Sequence, residues 1–191
     1  STAAGAALLA QCPAQQRPMA SVSWWHLLAD AQRLDPTAEG WRVVPSLGTP
    51  TDRQALIAAL ASGVIAAVAV HHLALDAEER LLPLDQRRGG LAGHGAVLPL
   101  LWQELVAVQG WSPEQLWQAL CWGPARFLAI DPPLLQPGSR QWVLWDPQAP
   151  WRASGSATAA NQPAVDSWLP LGQRRGAVRA SGLVAAENWS L

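Results

Sequence analysis

The sequence predicts an α/β fold whose active-site face lies where a buried strand gives way to a loop and a helix. Three observations predict it. Residues 64–70 (VIAAVAV) are an apolar run of Val, Ile and Ala, as a strand covered on both faces requires. The run stops at His71 and His72, and a polar loop with Asp76, Glu78, Glu79 and Asp85 follows. The glycines Gly89, Gly90, Gly93 and Gly95 then lead into a helical apolar pattern over residues 96–106. A buried strand that ends at polar residues, followed by loop and helix, is how an α/β barrel builds its active-site face.

The other elements follow in chain order. Residues 3–10 (AAGAALLA) read as a short helix, which the prolines Pro13 and Pro18 end. Residues 19–23 alternate and read as a strand, followed by Trp24, Trp25 and His26. Thr51 reads as the cap of a helix with Gln54 at its third position; Leu56, Ile57 and Leu60 line one face, and Ser62-Gly63 stop it. After the central stretch, Ser112, Pro113 and Gln115 spell a second capping box, and Leu116, Trp117 and Leu120 line the helix it opens. Asp131-Pro132-Pro133 is the clearest boundary, dividing an α/β part, residues 1–130, from a small β-rich part, residues 131–191. In the latter, residues 141–145 read as a strand turned by Asp146-Pro147, and residues 177–184 as a last strand.

Composition excludes several function classes. The 191 residues, half of them hydrophobic, suffice for a real core. A net charge of −1 gives no electrostatic footprint for nucleic acid or an anionic membrane surface. All 13 basic residues are Arg, a bias read as compositional rather than as phosphate recognition. Cys12 and Cys121 form neither a metal spacing nor a disulfide framework, which fits a reducing cytosol, and no run approaches a membrane span. The chain opens on STAAGAALLA, without an initiator Met or a leading strand, so it reads as part of a longer protein.

The central stretch resembles the end of the eighth barrel strand of a dihydroorotase, in the amidohydrolase superfamily. There an apolar run closes on Thr-Asp-His-Ala-Pro-His, and a loop leads to Gly-Ile-Val-Gly-x-Glu-Thr-Ala-Leu-Pro-Leu-Leu. Here the same places hold Val70-His71-His72-Leu73-Ala74-Leu75 and the run from Gly90 to Leu101. Upstream, Trp24-Trp25-His26-Leu27-Leu28 is similar to the family's Thr-Pro-His-His-Leu-Leu, and Trp41 to Gly48 is similar to Lys-Val-Asn-Pro-Pro-Leu-Arg. Downstream, Gly123-Pro124-Ala125-Arg126 resembles Asn-Pro-Ala-Arg, and Asn161-Gln162-Pro163 resembles Asn-Thr-Pro. The resemblance therefore implies the C-terminal half of a TIM-type (β/α)8 barrel followed by part of a small β domain.

It also implies a set of site residues. His71 stands where the family has the Asp that touches the metal centre and carries the proton. An imidazole can act as a base near neutrality, yet it cannot supply the anionic charge. Gly89 and Gly90 match the loop whose backbone contacts the substrate; a turn needing positive φ is the plainer reading of them. Val44, Gly48 and Leu75 stand where the family has a substrate-binding Asn, Arg and His, and none offers their hydrogen bonds. His72 matches a structural position, and neighbours at a strand end face opposite ways, so His71 and His72 do not share one ion. His94 and Gly95 replace a pair that usually includes Glu.

No metal ligand is assigned in this chain. Zinc belongs to the family, with its ligands expected upstream of Ser1. The implied function is a dihydroorotase-like protein of pyrimidine biosynthesis, impaired or inactive, that serves as a structural partner of aspartate transcarbamoylase in the cytoplasm. The alternatives are an active metal-dependent dihydroorotase once an N-terminal half is present, or another amidohydrolase activity built around His71. A half barrel leaves both sheet edges open, so the missing half or a partner chain is expected to cover them.

Overall fold

The structure, a computed structural model, describes residues 1–34, 41–132, 134–151, 162, 169 and 171–182. Helix α1 (Ala3–Gln11) starts at Thr2, whose hydroxyl accepts from the Gly5 N–H at 3.2 Å. Strand β1 (Ser21–Ser23) leads into the single turn α2 (Trp25–Leu28). Helix α3 (Pro50–Ala61) precedes strand β2 (Ala67–Ala69). Helices α4 (Val97–Leu101), α5 (Pro113–Trp117) and α6 (Gly123–Phe127) follow, with π-helical stretches over Trp102–Val108 and Gln118–Trp122 between them. Strands β3 (Val143–Pro150) and β4 (Arg175–Ser181) end the described fold.

Strands β1 and β2 pair in parallel, with Val22 opposite Val68. The pairing runs on at both ends, through Ala66 N–H to Ala20 O at 2.9 Å and Trp24 N–H to Ala69 O at 3.2 Å. The expected strand over residues 64–70 is thus present but short. Ile65, Ala67 and Val68 are buried, whereas Val70 is half exposed. Among the described residues this sheet has two strands, and β3 with β4 forms a separate antiparallel pair. The fold is α/β as expected, while the described strands do not amount to half a barrel.

Three local expectations need correction. The capping box of α3 sits two residues earlier than Thr51. Thr49 is the cap, Pro50 the first helical residue, and Asp52 the third, returning its carboxylate to the Thr49 N–H at 2.9 Å. Proline at the first helical position loses no intrahelical bond, so Pro50 fixes the start there. Asp146-Pro147 does not end its strand: β3 continues to Pro150, absorbing the interruption as a register shift between Asp146 and Pro150. The last strand is Arg175–Ser181, earlier than residues 177–184, of which 183 and 184 lie outside the described residues with Asn161 and Pro163. By contrast, the box at Ser112, Pro113 and Gln115 forms as read, with Ser112 N–H on Gln115 Oε1 at 2.8 Å.

The core gathers Trp24, Leu27, Leu91, Leu101, Leu105 and Leu116, each fully buried. Helix α3 gives it Leu56, Ile57 and Leu60, the face the spacing predicts, and adds Arg53 in phase with them. Arg53 is only 5% exposed, and its guanidinium bridges Asp30 Oδ2 at 3.0 Å and Glu104 Oε1 at 2.6 Å. Buried charges persist only where they are paired and hydrogen-bonded in this way. The chain's Arg wealth thus reaches its interior, tying α3 to the segment after α2 and to the π-helical stretch after α4.

Glycine is required where α6 packs on the start of β2. A Cβ on Gly123 would lie 1.8 Å from the Ala66 carbonyl oxygen, so only glycine lets α6 come down onto the start of β2.

Candidate functional site

Because β1 and β2 are parallel, their C-terminal ends meet, and this brings residues 24–26 against residues 71–72. Trp24 is fully buried, and its indole N–H donates to the His71 carbonyl at 3.0 Å. Trp25, also buried, lies under the His71 ring, the centroids 5.4 Å apart and the planes tilted by 37°. The two indoles fill the space beneath the strand ends. The His71 ring is exposed, and neither of its nitrogens bonds to a described residue.

His72 points elsewhere. Its Nδ1 accepts from the backbone N–H of Gly93 at 3.1 Å and of His94 at 3.4 Å, and its ring meets that of His94 edge-on at 4.5 Å. The two neighbours therefore diverge, as strand-end geometry requires. His72 closes the loop that leaves β2, together with Leu73 N–H on Leu91 O at 2.8 Å. Within that loop Arg88 Nη2 reaches Glu79 Oε2 at 2.5 Å, and this guanidinium holds the Glu79 carboxyl below its usual range.

Gly89 and Gly90 adopt no positive φ; Gly93 does, at 91°. What the first two require is room. A Cβ on Gly89 would meet the Val44 side chain at 2.8 Å, and one on Gly90 would meet Leu73 at 2.7 Å. The Gly90 N–H is spent on the Arg42 carbonyl at 2.8 Å. Leu75 is buried rather than offered to a ligand, and Val44 is 73% exposed. At Gly48, where the resemblance places an Arg, a Cβ would lie 2.8 Å from the Asp52 carboxylate. The space for that side chain has been taken by the capping box of α3.

His26 is 3% exposed, with Nε2 3.3 Å from the Ser46 carbonyl. Burial lowers its pKa and the carbonyl opposes the shift in part. Its Nδ1 and the Trp25 Nε1 are buried without a hydrogen-bond partner. The Asp30–Arg53–Glu104 cluster behind them was not foreseen from the sequence, although Arg53 falls in the same helical phase as Leu56, Ile57 and Leu60.

Among the described residues no three His, Cys, Asp or Glu side chains gather as a metal would need. His72 has spent Nδ1 on two amides, and His94 lies edge-on to it rather than beside it around a shared ion. The described residues thus gather no donor set for zinc, whose ligands the family resemblance places upstream of Ser1.

No protein family model matches the chain. It is 38% identical over 175 residues to a dihydroorotase-like protein of Synechocystis sp., covering 85% of this chain and 38% of that protein. Identity to a dihydroorotase-like protein of Pseudomonas aeruginosa is 31% over 173 residues, covering 88% of this chain and 41% of the relative. With a dihydroorotase of Listeria monocytogenes it is 31% over 123 residues, 64% of this chain and 29% of that one. The chain thus spans well under half the length of these curated relatives. Among solved structures, a dihydropyrimidinase from Brevibacillus agri superposes with a TM-score of 0.72 at 18% identity, and an L-hydantoinase from Arthrobacter aurescens with 0.71 at 19%. Each match covers 93% of this chain and 41% of the other, a likeness of fold. Over most of its length the chain is a homologue of the dihydroorotases and dihydroorotase-like proteins, with a fold like that of the dihydropyrimidinase and the hydantoinase.

Proposed function

We propose that this chain belongs to a dihydroorotase-like protein that has kept the scaffold and lost the ring-opening reaction, and that it acts as a structural partner of aspartate transcarbamoylase. The observation that carries the reading is His71. At the end of β2, where the family resemblance calls for an anionic proton carrier, stands an exposed imidazole resting on Trp25. A carboxylate beside a dication both binds it and takes the proton of its water; a neutral ring does only the second. The surroundings have changed with it. Leu75 is buried, Val44 offers no amide, and Gly48 has no room for a guanidinium.

The partner role is supported by exposed large apolar side chains: Val70 is 48% exposed, Leu81 87% and Leu84 49%. Gly89 and Gly90 enter this reading as the close-packed seam that seats the loop, and zinc has no role in it.

The test uses the whole protein. Zinc content, dihydroorotate hydrolysis and carbamoyl-aspartate cyclisation are measured beside an active dihydroorotase. The expected result is no turnover, unchanged by His71→Asp, because a restored carboxylate leaves the substrate contacts missing. Turnover by the unaltered protein overturns the reading. Co-elution with aspartate transcarbamoylase tests the partner, and separate elution of the two counts against it. The Listeria relative, named a dihydroorotase without qualification, favours a second reading in which the whole protein is an active metal-dependent enzyme. In that case His71→Asn abolishes turnover.

A further inference from the structure

We propose that the cavity at the entry to β2 binds a small organic carboxylate with a single-ring apolar body, the carboxylate resting on Arg126. The cavity lies at the opposite end of β2 from His71, and the proposal does not rest on the loss of turnover. It measures about 300 Å3 and opens between the end of α3, the residues that lead into β2, and the run from α5 to α6. Its inner wall is apolar, formed by Leu60, Ile65, Trp111 and Ala119, all of them buried. The hollow stays open because the other residues turned to it from α3 and β2 are small, namely Ala61, Gly63 and Ala66. Gly123 seats α6 on Ala66, which brings Arg126 of the same helix to the rim. A mostly apolar hollow with a few polar groups at its edge is the usual form of a small-molecule site, and this volume is at the small end of that range. One wall is the π-helical stretch Gln118–Trp122, a local geometry that recurs at functional sites.

Charge decides the class of ligand. Among the described residues no carboxylate pairs with Arg126; its Nη1 donates to the Gln118 amide oxygen at 3.0 Å. That amide steers the guanidinium without cancelling its charge. The acid on the same rim, Glu114, is turned back on the start of α5. There its own N–H and the Ser112 hydroxyl hold its carboxyl below the usual range. The site therefore has a positive edge above an apolar floor. A guanidinium takes the two oxygens of a carboxylate through parallel bonds. A dianionic phosphate asks for further cations, and Arg126 is the cation among the lining residues.

Titration calorimetry on the whole protein tests this, with benzoate as probe and benzyl alcohol as its uncharged counterpart. Benzoate should bind saturably at one site, and benzyl alcohol roughly tenfold more weakly, the worth of a hydrogen bond to a charged group. Arg126 is exposed, so Arg126→Gln leaves the packing intact. It should weaken benzoate by the same factor and leave benzyl alcohol unchanged. Ala119→Leu puts a larger side chain into the hollow and should remove the binding of both. The proposal is overturned by benzoate that does not bind saturably, or that binds Arg126→Gln at full strength. Benzoate binding that survives in an Ala119→Leu protein of unchanged thermal midpoint also overturns it.

Discussion

The buried Arg53 offers the sharpest test of how this fold is held. Replacing it with Met keeps the length of the stem and removes the guanidinium. Asp30, 2% exposed, and Glu104, 7% exposed, then lose their nearest cation. Breaking a buried pair from one side costs about 3–5 kcal/mol, because the remaining charge stays desolvated. Two features place the value at the lower end. Asp30 Oδ1 still accepts from the N–H of Gln32 at 3.1 Å and of Arg33 at 3.2 Å. Glu104 keeps Arg33 Nη1 at 3.4 Å and the Gln109 amide at 3.3 Å. The expected loss is therefore about 3 kcal/mol, a large share of a total of roughly 5–15 kcal/mol. Urea unfolding followed by Trp fluorescence should show the midpoint falling by about 1.5 M at a slope of roughly 2 kcal/mol per M. Arg53→Lys, a single point charge that cannot span both carboxylates, should fall between the two. A loss under about 1 kcal/mol for Arg53→Met would refute the argument that this cluster ties α3 to the core.

Two further predictions test local geometry. Gly123→Ala places a methyl 1.8 Å from the Ala66 carbonyl oxygen and 2.8 Å from that of Gln118, so α6 must shift off β2. Overpacking of this kind costs about 1–3 kcal/mol or more, and the thermal midpoint should drop by roughly 5–10 °C; an unchanged midpoint means the two elements are not in contact. The Asp52 carboxyl is held down to about 2 by the Ala3 N–H, the Thr49 hydroxyl and the Thr49 N–H. Since its folded pKa lies below its unfolded value near 4, its stabilisation is whole above pH 4 and fades as the pH falls towards 2. A carboxyl NMR titration should show the low midpoint, and Asp52→Asn should remove that part of the acid sensitivity; a midpoint near 4 would contradict the bonded cap.

What the sequence made legible is what neighbours along the chain decide. Ser112, Pro113 and Gln115 declare a helix start because the bonds they make are local, and that start is found as read. The start of α3 was read at Thr51, whereas Pro50 sets it at Thr49 by fixing the first helical residue. The alternation before Trp24 and the apolar run before His71 located the two parallel strands, yet only pairing shows that three residues of each are ladder-bonded. Long-range partners were not legible. Arg53 reads as a solvent residue on an apolar helix face until Asp30 and Glu104 arrive from 23 and 51 positions away. His72 reads as half of a pair with His71 until Gly93 and His94 claim its Nδ1.

The same distinction governs the site. The family resemblance places an Arg at Gly48, an Asn at Val44 and a His at Leu75. It does not show whether the space for them is open. At Gly48 the Asp52 carboxylate lies where a Cβ would go, and that carboxylate is fixed by three bonds to α1 and Thr49. Restoring the Arg would displace the anchor that joins α1 to α3. Leu75 has been drawn into the buried set, so a His there would have to be desolvated before it could meet a ligand. Under the proposed reading the substitutions are therefore coupled to the packing around them, and exchanging His71 for a carboxylate changes one group among several.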